Sequence, residues 1–149
     1  MEYPVITLFF RLFLSAFLGA LIGLEREWAQ KTAGLKTLSL ISLGSCLFIV
    51  ASMTAFESYP AFDPSRVFGQ IIVGVGFLGA GMIMVRGERI EGLTTAAVAW
   101  MCAAVGGTVG LGLYPLALWG TFLAIILIFT FRFLEERIKR YREGIKKVE

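Results

Sequence analysis

The chain has 149 residues, 57% of them hydrophobic, and its mean hydropathy of +0.78 exceeds what an ordinary soluble domain carries. It contains no histidine and two widely separated cysteines, Cys46 and Cys102, so no zinc or haem centre is expected, no cofactor is implied, and no nucleophile and base pair marks an enzyme. The net charge of +3 comes without a basic face bearing groove-reading or aromatic residues, which argues against nucleic acid as a partner.

Taken in chain order, the apolar residues fall into five blocks. Val5 to Leu24 is broken only by Arg11, and Leu35 to Phe56 only by Lys36; Val67 to Val85, Leu93 to Leu111 and Gly112 to Phe131 are uncharged. At about 1.5 Å of rise per residue, each block is close to the ~20 residues that cross a bilayer. The pattern predicts an all-α polytopic membrane bundle of five helices. The last two blocks abut at Gly110 to Pro115, the only turn signal there, and a single re-entrant element is the alternative. The 39 residues from Leu93 to Phe131 are twice what one crossing needs, which favours two spans.

The first block follows Glu2 with no early Lys or Arg and is longer than a signal-peptide core, so it is expected to stay as an anchor. Arg11, Ser15, Leu18, Ile22 and Glu25 share one face of it, and Gly19 and Gly23 form a G-x-x-x-G packing motif. Arg11 lies about 9 Å into the span by helical rise, deep enough to want a partner, for which Asp63 is the first candidate acid and Glu57 the second. Glu25, Arg26 and Glu27 close the first span; Arg86, Glu88, Arg89 and Glu91 follow the third. Interleaved charges of both signs read as ion pairs ordering the loops, each worth about 0–1 kcal/mol when exposed, and the arginines compete with any metal for the carboxylates.

The third block holds Gly69, Gly74, Gly76, Gly79 and Gly81. Gly74, Gly76 and Gly79 spell G-x-G-x-x-G, but a dinucleotide fingerprint needs a strand before it and a helix after it, and here the glycines lie inside a long apolar run. Helix packing is the reading that fits, with Gly74, Gly76, Gly79 and Gly81 as packing positions. Asp63 suits a helix N-cap and Pro64 the first helical position. Asp63, Arg66, Gln70, Gly74, Phe77 and Gly81 fall near one face, a polar stripe expected to look into the bundle or a cavity. Hydrogen bonding between helices is its default role, and lining a small passage is the functional alternative.

Thr94 and Thr95 start the fourth span, and Trp100 and Trp119 are expected to pack between helices. Residues 132–149 form a charged tail that continues the last helix beyond a membrane domain of residues 1–131. Its basic, amphipathic strip suits anionic lipid headgroups. Twelve of the fourteen Lys and Arg side chains fall on one side if the N-terminus lies outside and the C-terminus in the cytoplasm, leaving Arg66 outside and Arg11 within a span. Cys46 and Cys102 both fall within spans, where apolar packing is expected rather than a disulfide.

Four ordered segments, RLFLSAFLGALIGLERE at 11–27, AGLKTLSLISLG at 33–44, DPSRVFGQIIVGVGFLGAGMI at 63–83 and GLTTAAVAWMCAAVGGTVGLGLY at 92–114, resemble the MgtC/SapB family of bacterial membrane proteins. The resemblance implies a five-span domain in the bacterial cytoplasmic (inner) membrane. It also implies a role in adaptation to low magnesium and, in pathogens, in survival inside host cells, through regulation of other membrane proteins such as the ATP synthase. The family-like polar positions are Arg11, Glu25, Arg26, Glu27, Asp63, Arg66, Gln70, Thr94 and Thr95. Lys36 stands where the family commonly has arginine, and functions that the resemblance ascribes to the ACT-like cytoplasmic domain of longer members are not expected of these 149 residues. Two functions are thus expected. One is a non-enzymatic membrane protein acting by helix contacts, as a homodimer or on another membrane complex. The other is a small carrier for an ion or solute, linked to Mg²⁺ or protons.

Overall fold

The computed structural model describes residues 4–56, 59 and 63–145, with side chains through residue 138 and at 140 and 141. Among the described residues there are five helices, α1 (Val5–Trp28), α2 (Leu35–Phe56), α3 (Pro64–Met82), α4 (Leu93–Gly110) and α5 (Tyr114–Ile145). Each is long and apolar enough to cross a membrane, and the chain is a multi-pass membrane protein. The end of α1, the starts of α2 and α4 and the far half of α5 meet at one end of the bundle, here termed the basic end.

Local chemistry sets the boundaries. After α1, Gln30 adopts φ 52, and the amides of Gln30 and Lys31 donate back to the carbonyls of Glu27 and Arg26, a Schellman closure made without glycine. The same closure ends α4, with Gly112 at φ +80 and the amides of Gly112 and Leu113 donating to Val109 and Thr108. This resolves the fourth and fifth blocks into two helices. Asp63 caps α3 by accepting from the Ser65 amide at 2.9 Å, and Pro64 takes the first helical position.

Two departures from the sequence reading stand out. The third helix stops at Met82 rather than Val85, and a two-stranded antiparallel hairpin follows, β1 (Met84–Arg86) and β2 (Arg89–Glu91), with Val85 opposite Ile90. Gly87 at φ +61 opens its two-residue turn, the position where a II′ turn requires glycine. Strands of three residues are too short for alternation to show beside a long apolar run. The second departure concerns the tryptophans: Trp100 and Trp119 both face outward, Trp119 stacking edge-on against Phe122. A helix that packs on small residues leaves its largest side chains pointing to lipid.

The core lies between α1, α2 and α4, where small residues let backbones touch. Ser42 is the junction. Its hydroxyl donates to the Ser15 carbonyl at 2.7 Å, Gly19 packs against its Cβ, and Gly106 of α4 lies against its carbonyl. Gly23 meets Leu35 of α2 in the same way, and Gly107 lies under the ring of Phe68 from α3. Cys46 and Cys102 are free thiols buried in this core. By contrast α3 buries only Val75 and Gly79 among its residues, so it borders the core instead of completing it.

Gly106→Ala is therefore expected to cost about 1–3 kcal/mol by overpacking against the Ser42 carbonyl. Gly76→Ala, whose added methyl meets nothing within 4 Å, is expected to be neutral or stabilising by up to about 1 kcal/mol. Thermal unfolding in detergent, followed by circular dichroism, measures both; equal losses would contradict this packing.

Candidate functional site

The last turns of α1 carry Glu25 and Arg26 into the basic end, where they are 2% and 4% exposed. Arg132 of α5 donates from Nη1 to Glu25 Oε1 at 3.2 Å and from Nε to Glu136 Oε1 at 3.3 Å. Arg26 donates from Nη2 to Thr95 Oγ1, in the first turn of α4, at 3.0 Å. Its Nη1 stands 3.8 Å from Glu25 Oε2, an ion pair too long for a hydrogen bond. Glu25 Oε2 and Arg26 Nε have no hydrogen-bond partner among the described residues. The cluster thus ties α1, α4 and α5 together and lines a cavity of about 780 Å³, with Lys31 and Thr94 also in its wall.

The remaining candidate residues sit elsewhere. Glu27 is exposed and accepts from the Leu35 amide at 3.1 Å, so it starts α2; Gly34 is pressed against its carboxylate and has no side chain to displace it. Arg11 is buried at the opposite end. It donates to the Gly110 carbonyl at 2.9 Å and to the Tyr114 hydroxyl at 3.1 Å, and Gly112 leaves room for its guanidinium. These contacts clasp α1 to the α4–α5 turn. Asp63, the first acid expected for Arg11, instead spends its carboxylate on the α3 cap, and Glu57 lies outside the described residues.

The stripe on α3 does not look into the core. Arg66 is exposed, and Gln70 and Gly74 line an apolar groove of about 720 Å³ between α2 and α3, while Phe77 is 81% exposed. Gly79 packs on Ala96, but a Cβ at Gly74, Gly76 or Gly81 would meet nothing within 4 Å in this chain. Of the charges after the third span, Arg86 pairs with Glu91 at 3.7 Å across the hairpin, fully at the surface.

Arg132 and Tyr114 escaped the sequence reading. Arg132 is the first cation after an uncharged stretch of α5, a position that marks where a span meets the headgroups, but only the fold sets it beside Glu25. Among the described residues no three acidic or sulfur side chains are grouped to hold a metal ion.

Glu25→Leu is expected to destabilise the protein by about 3–5 kcal/mol, because Arg26 keeps its buried charge and loses its carboxylate; denaturation in detergent micelles measures the loss. At the other end, hydrogen bonding from the Ser65 side chain and then from its backbone amide holds the Asp63 carboxyl below its ordinary value of 3.8. A lowered acid contributes stability above its unfolded value and loses it as pH falls through the native one. Amide-exchange protection at the start of α3, measured against Asp63→Ala, is therefore expected to be full at neutral pH and to shrink only below about pH 3.8.

YhiD of Escherichia coli (strain K12) is 41% identical over 133 residues, covering 86% of this chain and 62% of YhiD. Protein MgtC of Salmonella typhimurium (strain LT2) is 41% identical over 129 residues, covering 87% of this chain and 54% of MgtC. Protein SrpB of Synechococcus elongatus is 40% identical over 150 residues, covering 93% of this chain and 82% of SrpB. The chain thus spans less than two thirds of YhiD and of MgtC. No solved structure matches it. The MgtC family model matches residues 12–137, a stretch that takes in the Glu25–Arg26–Thr95–Arg132 cluster and most of all five helices, and the chain belongs to the MgtC family.

Proposed function

We propose that this protein is a non-enzymatic component of the bacterial cytoplasmic membrane that serves adaptation to low magnesium by making helix contacts, with a second copy of itself and with another membrane complex. One observation carries this reading: α3 spends almost none of its glycine on its own chain. Gly69, Gly74, Gly76 and Gly81 are open, whereas the glycines of α1 and α4 are each pressed against a neighbour. In lipid, where apolar side chains gain nothing by leaving the acyl tails, exposed glycine is of use mainly to an approaching helix. The side-chain charges support a cytoplasmic C-terminus by the positive-inside rule.

The magnesium connection rests on relatives: the curated description of the Escherichia coli K12 protein YhiD reads "Putative magnesium transporter". A carrier is accordingly the second reading, favoured by the groove that holds Gln70 beside Gly74 between α2 and α3. That groove opens sideways between two helices, and the polar end clusters are separated by a core of Leu18, Ile22, Leu38 and Ile49.

Purified protein in liposomes separates the two. The contact reading expects Mg²⁺ and proton flux no higher than in empty liposomes, and expects Gly76→Leu to lower the dimer fraction seen by crosslinking. Flux above that background that Gln70→Ala or Asp63→Asn abolishes would establish the carrier instead.

A further inference from the structure

We propose that the cavity at the basic end binds a phosphate group bearing a hydrogen-bond donor close by, as the headgroup of an anionic phospholipid such as phosphatidylglycerol does. This inference does not depend on whether the open glycine face of α3 meets a partner.

Three features converge on the cavity. The first is the start of α4. Its N-cap is Gly92, at φ +91, which brings no side chain to accept from the amides of the first turn. Such an end carries partial positive charge and unfilled donors, the arrangement that suits an oxyanion. The second is the charged wall around it, in which three cations, Arg26, Lys31 and Arg132, stand with three carboxylates, Glu25, Glu135 and Glu136, the last two exposed. Thr95 holds the Arg26 guanidinium against that same helix end, Arg132 stands on the far side of Glu25, and Lys31 lines the wall. A guanidinium beside a helix N-terminus is an opposed pair. Glu25 contacts both arginines, at 3.8 Å from Arg26 and 3.2 Å from Arg132, and Arg132 is paired with Glu136 as well. Glu135 and Glu136 lie at the exposed edge, Glu136 engaged by Arg132 and Arg140.

The third feature specifies the ligand. Arg26 Nε is a donor and Glu25 Oε2 an acceptor, both on side chains more than nine-tenths buried, and neither has a hydrogen-bond partner among the described residues. Buried groups of this kind are costly to leave unmade, the more so when charged. A phosphate oxygen satisfies Nε and the α4 amides together. A hydroxyl or amine beside it, or the P–OH of a monoprotonated phosphate, donates to Glu25 Oε2. A bare cation would answer the carboxylate but would meet Arg26, Arg132 and Lys31.

The rest of the wall suits an amphiphile. Leu93, Leu127 and Phe131 continue the cavity along α4 and α5 towards the lipid face. Glu25 lies about 30 Å along α1 from its start, which is headgroup depth for a helix crossing the bilayer.

The test uses the full chain in detergent, with short-chain phosphatidylglycerol, short-chain phosphatidylcholine or inorganic phosphate added, read as the shift in thermal unfolding over a concentration series. Phosphatidylglycerol is expected to stabilise and phosphatidylcholine, whose choline offers no donor, is not. Lys31→Gln, an exposed substitution that leaves the core intact, and Arg26→Lys, which keeps the charge but removes Nε, are each expected to weaken the apparent affinity about tenfold or more. Arg89→Gln removes the same charge from the hairpin, outside the cavity, and is expected to change nothing. Stabilisation by inorganic phosphate with the same mutational pattern assigns the site to a soluble phosphate, and its absence assigns it to the lipid. Equal stabilisation by the two lipids, or a phosphatidylglycerol effect that Lys31→Gln leaves untouched, overturns the proposal. If Arg26→Lys does not fold, Lys31→Gln against Arg89→Gln decides alone.

Discussion

The contact of Gly106 with the carbonyl of Ser42 is the point on which the bundle depends. Lipid tails are as apolar as leucine, so helices in a membrane are not driven together by the hydrophobic effect and must gain from close packing and hydrogen bonds. Ser42 supplies both: its backbone receives α4, and its hydroxyl reaches the Ser15 carbonyl on α1. With a larger residue at 106, α4 would ride outward, and the side chains that it carries at either end would leave their partners.

Those end contacts follow from the position of α4. At one end, the turn after Gly110 receives Arg11; at the other, Thr95 receives Arg26. The two buried arginines of α1 are thus held by opposite ends of the same helix, each through oxygen atoms that a shift of α4 by one turn would remove. The peripheral helices have different freedoms. α5 is tied to the bundle through Arg132 and Glu25 near its middle and continues as helix to Ile145, while α3 rests on Val75 and Gly79 and turns its other glycines away. The core of the bundle is thus made by α1, α2 and α4, with α3 sparsely used by its own chain.

The basic end combines a buried, incompletely hydrogen-bonded ion cluster with a cavity of about 780 Å³. Buried ion pairs seldom stabilise a fold more than apolar residues of equal volume would, so a cluster that leaves a donor and an acceptor unmatched is poorly explained by stability alone. Its position where α1, α4 and α5 meet means that anything bound there would act on three helices together.

Much of this was legible in the chain. Five apolar blocks, their lengths and their flanking charges specify five spanning helices, because a bilayer admits few other solutions to satisfying a backbone. Asp63 with Pro64 marks the start of α3, since capping is local chemistry. The hairpin at Met84–Glu91 was not legible, because three-residue strands leave no periodic trace.

Nor was the use of the glycines. G-x-x-x-G at Gly19 and Gly23 packs inside the chain, whereas Gly74, Gly76 and Gly81 do not, although spacing treats them alike. The sequence by itself determined that there are five apolar helices long enough to span a bilayer, that Arg11 lies within the first of them, and that Glu25 and Arg26 lie at its end. Which of them meet was decided only by the tertiary structure. Glu25 and Arg132 are 107 positions apart, and Arg26 and Thr95 are 69. Pairings at such separations depend on the rotation and depth of each helix, which close packing around Ser42 sets and no local pattern records.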